Sequence, residues 1–160
     1  MIPTLIRANG KMFTRNSCAV RLNGVVRVTA VDTIEWSDEV PAELVAGMND
    51  GGMPLGVALG NYTCGASISV HADAAPMFEA AILLGSPLAL NNLTAALFQL
   101  SITMREDVRT RVVAIVNARI VGRPSRTVGN DGNAIVKQYQ LQPTLILEDG
   151  KSLVNMTPAI

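Results

Sequence analysis

The chain has 160 residues, 49% of them hydrophobic and only 16% charged, with 13 basic and 13 acidic residues and a net charge of zero. A domain of this length buries about 70% of the surface its unfolded chain exposes. A mean hydropathy of +0.31 leaves further apolar surface to hide, and oligomerisation hides it. The missing basic surplus argues against a nucleic-acid binder that works by neutralising phosphates, and near-zero charge favours association.

No apolar run approaches the roughly 18 residues of a membrane span. Residues 1–13, MIPTLIRANGKMF, lack a charged segment followed by an apolar one, so no signal peptide is expected. Cys18 and Cys64 are too few for a disulfide framework or a metal site, and are expected as buried, reduced thiols of a cytosolic protein.

In chain order, residues 1–16 have little periodicity and are expected to form an N-terminal arm. SCAVRLNG then places Cys18, Val20 and Leu22 on one strand face, with Asn23-Gly24 as a two-residue hairpin turn. Residues 25–36 read as one long returning strand of an antiparallel sheet with one buried face, Val26, Val28, Ala30, Ile34 and Trp36 inward. Residues 61–72 alternate cleanly, with Tyr62, Cys64, Ala66, Ile68 and Val70 opposite Thr63, Gly65, Ser67, Ser69 and His71. That second face lacks the Lys and Glu of open solvent and is expected to line a neighbouring subunit or a narrow channel; Thr63, Ser67, Ser69 and His71 are its candidate residues.

A helix is expected over 73–84, capped by Asp73, tolerant of Pro76 in its first turn and stopped by Gly85. Its inward stripe reads as Met77, Ala81 and Leu84, with Phe78 and Ile82 alongside. Strands follow at 95–104 and 109–121, joined by the charged turn Arg105-Glu106-Asp107. RPSRTVGNDGN, residues 123–133, is a polar connection. A last long strand spans 135–147, Asp149-Gly150 makes a hairpin turn, and a short strand closes the chain. The total is six or seven strands and one helix in a single domain.

The segment WSDEVPAELVAGMNDGGMPLGVALG, residues 36–60, departs from this pattern. Connections in compact domains are usually about 4–6 residues, and much longer ones are functional or disordered. This one is too apolar for a solvated linker, and its prolines and glycines favour a fixed irregular path. It is therefore expected to reach for a second copy of the chain, with Trp36, Asp38, Glu39, Val40, Leu44, Met48, Met53, Pro54 and Leu55 as interface residues.

Chemistry is hard to assemble from these residues. His71 is the single histidine, and Ser67 and Ser69 lie beside it on one strand, splayed rather than relayed. The carboxylates Asp38, Glu39, Glu43 and Asp50 lack the ligand spacing of a calcium loop. GMNDGGMPLG has neither a dinucleotide fingerprint nor a phosphate-binding lysine. No catalytic, metal or cofactor site is expected, and no enzyme. The later arginines, Arg109 and Arg111 above all, are expected to form inter-subunit ion pairs with the acidic loop.

Strands of about 12 residues in an open sheet leave long unpaired edges, which closure within one barrel or around a ring removes. The order of segments, Asn23-Gly24 hairpin, IEWSD, Gly/Pro-rich loop, GNYTCGASISV, helix, two long strands, RIVGRP and a terminal strand pair, resembles the major tail tube proteins of tailed bacteriophages. More distantly it is similar to the tube protein of type VI secretion systems. The resemblance covers nearly the whole chain and implies a mainly β fold, a β-sandwich or split barrel with one flanking helix. It implies six copies in a ring whose inner sheets join into one barrel, rings stacked into a hollow tube through residues 37–60, and DNA passing during infection. Tail terminator, baseplate or tip and tape measure proteins, and a contractile sheath where there is one, are the implied partners. The implied location is the virion tail, assembled in the host cytoplasm. The alternative is a monomeric β-barrel binding a small apolar ligand, with the long loop as its lid.

Overall fold

Alternating apolar and polar residues make this a chain of strands. The computed structural model describes residues 5–14, 16–46, 54–123, 125–126 and 136–153, with the backbone alone described at 45–46, 54–57 and 125–126. Its strands are β1 (Leu5–Ala8), β2 (Lys11–Thr14), β3 (Cys18–Leu22), β4 (Val26–Arg27), β5 (Val31–Glu39), β6 (Ala42–Ala46), β7 (Pro54–Leu59), β8 (Thr63–His71), β9 (Phe98–Glu106), β10 (Arg109–Gly122), β11 (Ser125–Arg126), β12 (Val136–Gln142) and β13 (Leu145–Glu148). One helix, α1 (Ala75–Leu84), follows β8, and a 3-10 turn at Pro87–Ala89 follows the helix.

Among the described residues eleven strands form one mixed sheet along the path β2-β1-β5-β8-β12-β10-β9-β3-β4, with β11 on β12 and β13 on β10, and β6 and β7 pair only with each other. The pairing of β1 with β5 is parallel, and the other pairings are antiparallel. Strand β10 serves two halves. Its first part, Val113 to Val116, lies between β9 and β13, and its last part pairs Arg119 with Gln142 and Ile120 with Leu141 of β12. Between them Asn117 takes φ +50 and the register with β9 shifts, so the sheet folds there. The two halves enclose one apolar core that includes Ile34, Trp36, Ile68 and Tyr139 from one side and Val20, Leu100, Ile102 and Ile115 from the other. The sheet is not closed: β2 and β4 end its path. The single-chain barrel needed by a monomeric binding module is therefore absent among the described residues.

Four expectations of strand layout change. Residues 5–14 form a hairpin of the sheet, not an arm, turning at Asn9 and Gly10 with φ +45 and +83, the two left-handed residues of a tight hairpin turn. Residues 25–36 are broken at Ala30, φ +61, so that β4 pairs with β3 in one half and β5 with β8 in the other. Residues 135–147 are broken at Pro143, which has no N–H to give a ladder; β12 pairs with β8 and β13 with β10. The described parts of 37–60 are not an irregular path, since β5 runs on to Glu39 and β6 and β7 pair as antiparallel strands.

The helix begins at Ala75, with Ala74 at its N-cap and no side-chain cap from Asp73. Its buried face is Ala75, Phe78 and Ile82, while Met77 is 75% and Leu84 82% exposed. The expected stripe is thus rotated. Phe78 packs on Tyr139 with ring centroids 5.2 Å apart. Beside them Glu79 Oε1 accepts from Tyr139 Oη at 2.8 Å, Lys137 Nζ at 3.1 Å and Arg123 at 3.2 Å. Burial alone raises the Glu79 pKa, but these donors, Tyr139 first, bring it below the ordinary carboxylate value. Such a group stabilises the fold above its unfolded pKa and loses that contribution as pH falls through its folded one.

Phe78→Ala is expected to cost about 3–5 kcal/mol in urea unfolding of the isolated subunit, and Met77→Ala to stay within about 0.5 kcal/mol. Equal effects would contradict the rotated face. Unfolding curves from neutral to acid pH should fall more steeply for the parent than for Glu79→Gln, and parallel curves would remove Glu79 from the acid response.

Candidate assembly surfaces

The hairpin of β6 and β7 is the part of the chain that leaves the sheet. Ala42 pairs with Leu59, Glu43 with Ala58 and Leu44 with Val57, placing Ala42, Leu44 and Leu59 on one face. Leu44 is 71% and Leu59 73% exposed. At the root Gly60 N–H donates to Pro41 O at 2.7 Å, and a Cβ on Gly60 would meet Pro41 Cβ at 3.3 Å, so a glycine suits this close crossing.

Below the root a clamp ties the hairpin to the core. Tyr62 Oη donates to Asp38 Oδ2 at 3.0 Å and accepts from Ile146 N–H at 3.0 Å, joining β5 to β13. Burial, ahead of the Asp38 carboxylate, pushes the Tyr62 phenol well above its ordinary pKa. Cys64 Sγ donates to Pro143 O at 3.3 Å, and Trp36 Nε1 donates to Glu148 Oε1 at 3.0 Å. Trp36 is only 8% exposed. Of the residues expected in the loop, Trp36, Asp38 and Glu39 thus belong to β5, and Trp36 is a core residue. Val40 is half-buried, Leu44 sits in β6, and Pro54 and Leu55 begin β7. Met48 and Met53 lie outside the described residues.

The second surface is the outer face of β5, β8 and β12. It forms an open trough of about 790 Å³ whose lining includes Glu35, Ser37, Ser67, Gln138, Gln140 and Gln142. Register sets Ser67 between Glu35 and Gln140, and Ser69 between Thr33 and Gln138. Thr63, Ser67, Ser69 and His71 share this side of β8; Thr63 is exposed and the others half-buried. His71 Nε2 is shielded and has no hydrogen-bond partner among the described residues. The three alternating glutamines are absent from the sequence expectations above, although the QYQLQ spacing marks one strand face.

Arg109 begins β10 and is exposed. Arg111 lies 3.9 Å from both Glu148 and Asp149 of its own chain. Cys18 is buried, with burial pushing its thiol up to about 11, and Cys64 is half-buried; both are free. No described helix is long and apolar enough to cross a membrane.

No protein-family model matches this sequence, and no curated protein sequence does. Solved structures do. The chain is similar to the sheath-tube complex of an extracellular contractile injection system, PVC, in its extended state, with TM-score 0.55 and 9% identity over 86% of this chain and 89% of that one. The fold is one found in contractile injection assemblies. The tube-terminating cap of the anti-feeding prophage gives TM-score 0.56 and 11% identity over 85% of this chain and 88% of that one. The PVC sheath/tube terminator gives 0.55 and 9% over 85% and 95%. The relationship to tail tube proteins expected from the sequence is supported at the level of fold.

Tyr62→Phe removes the bridge and leaves the Ile146 N–H and the Asp38 carboxylate without it. The expected cost is about 1–3 kcal/mol, with faster hydrogen exchange at Ile146 and the β10–β9 amides unchanged. No change at Ile146 would show that the clamp does not hold β13.

Proposed function

We propose that this chain is the subunit of a hollow tail tube, six copies forming a ring and rings stacking through the β6–β7 hairpin. The observation that carries the proposal is the hairpin itself: among the described residues it pairs with no other strand, and it turns Leu44 and Leu59 to solvent. An isolated two-stranded hairpin is marginal in water, so an apolar one this exposed calls for a partner surface. The fold shared with contractile tube assemblies, the open sheet edges and the zero net charge support a copy of the same chain as that partner.

The trough is the face assigned to the lumen. Among its described lining residues Glu35 is the only charged one, and the rest of the wall is mainly amide, hydroxyl and glycine. A polyanion held by many Lys and Arg releases counterions and sticks; this face carries charge sparsely, with Glu35 in the trough and Arg7 and Arg119 in register at its two sides, and a sparsely charged polar wall lets DNA slide. Partners on this reading are terminator, baseplate or tip and tape measure proteins, with a sheath around the tube, and the location is the virion tail after assembly in the host cytoplasm. The inter-subunit ion pairs of Arg109 and Arg111 remain part of this reading, with Arg111 already 3.9 Å from Glu148 and Asp149 of its own chain. The function is structural, with no catalysis.

Because Pro41 and Gly60 already meet through one hydrogen bond, residues 42–59 can be replaced by a short Gly-Ser turn without opening the β5–β8 ladder. The expected product keeps the parent's far-ultraviolet circular dichroism and unfolds cooperatively, yet sediments as single subunits or single rings. Tubes built by this variant would refute stacking through the hairpin.

A further inference from the structure

The two path ends of the large sheet are guarded against a further strand, and the hairpin is not. Strand β2 has four residues and begins with Lys11, which is held by Glu106 at 2.7 Å; strand β4 has two residues. Short edge strands and edge lysines discourage pairing with another chain. Strands β6 and β7 have five and six residues, AELVA and PLGVAL, with Glu43 as their one charge. Pro54 and the register shift between Val45 and Ala46 both lie away from the root. Nearer the root the pairing of Ala42–Leu44 with Val57–Leu59 is regular, and among the described residues each strand there has one paired side and one unpaired side. Both faces are bare as well. Glu43 and Ala58 on one face, and Ala42, Leu44 and Leu59 on the other, are exposed.

An unguarded edge of this kind is a template for strand addition, and strand direction selects the strand that is added. Copies related by rotation about a ring axis keep the same direction along that axis. Beside β6 of one copy the next copy therefore presents β7, which runs the opposite way, as an antiparallel ladder requires. Antiparallel pairing of β6 with β6 needs a two-fold axis that such a ring lacks. The two strands match in length, and a level register repeats the pairing already made inside the chain. Each Glu43 then stands between two Ala58 residues, so that no like charges face each other across the strands.

We infer that the free edge of β6 in one copy pairs with the free edge of β7 in the next copy of the same ring, Glu43 opposite Ala58 and Ala42 opposite Leu59. The hairpins of a ring thereby close into one collar. This rests on the tube reading and names the partner strand within the ring. Closure removes the edges of the hairpin and leaves its Leu44 and Leu59 face for the adjacent ring.

The test uses two full-length chains, Glu43→Cys and Ala58→Cys, mixed in equal amounts under assembling conditions and oxidised. Carrying the two cysteines on separate chains excludes a link inside one hairpin. Both positions are exposed, so neither change disturbs the core, and the parent chain with its native Cys18 and Cys64 supplies the background. Non-reducing electrophoresis should show a disulfide-linked dimer at least ten-fold above either chain alone, and Ala42→Cys mixed with Leu59→Cys should repeat it. The link should return to background when Val108→Cys, at the exposed β9–β10 turn, replaces Ala58→Cys. Tubes in the electron microscope without these links, or with an equal link in Glu43→Cys alone or to Val108, would overturn the collar and leave the tube standing. A specific link without tubes would support the edge pairing and remove the stacked tube. Neither link nor assembly would overturn both.

Discussion

The antiparallel ladder between β5 and β8 is the constraint on which the rest of this structure depends. It runs from Val31 opposite Val70 to Glu39 opposite Thr63. Two strands paired to their ends force the chain between them to leave and return at one point, closed by the Gly60 to Pro41 hydrogen bond. In the described part of that excursion β6 and β7 pair with each other. The same ladder turns Ile34, Trp36, Ile68 and Val70 into the core and leaves Glu35, Ser37, Ser67 and Ser69 on the outside. An arm, a core wall and a polar trough follow from one pairing.

One sheet encloses a core here because three long runs of the chain change partners midway. Ala30 and Asn117 enter left-handed backbone geometry and Pro143 withholds its N–H, and at each place the strand passes from one half of the sheet to the other. Glu79 then fixes α1 to β12 through Tyr139 and Lys137. The fold likeness to contractile tube assemblies rests on this architecture, since sequence identity is near the level of chance.

What is legible in the sequence is local. Asn23-Gly24 and Asp149-Gly150 mark real turns, and the alternation in residues 61–72 assigns both faces of β8. Phe98, Leu100, Ile102 and Met104 are inward as their spacing requires. The corners are not legible, because an alanine or asparagine with positive φ is imposed by the two sheets around it and leaves no residue signal. Asn9-Gly10 carries the same turn signal as Asn23-Gly24, but its flanking strands of four residues are too short to show alternation. The helix face is misread for a different reason. Residues 74–84 are apolar nearly all round except Glu79, so periodicity cannot choose between Met77 and Phe78; the Tyr139 ring and the Glu79 donors decide it. Likewise Trp36 reads as an interface residue from its place beside the excursion, and the Glu148 carboxylate and the core claim it instead.

Surface chemistry points the same way as the fold. A trough with Glu35 as the one charged residue of its described lining and an exposed Leu44 and Leu59 on the hairpin support the proposed self-association. The most direct measurement is negative-stain electron microscopy of the purified wild-type chain across a rising concentration series. Hollow tubes or stacked rings with an open central channel are predicted. Uniform particles of single-subunit size at every concentration would contradict the account.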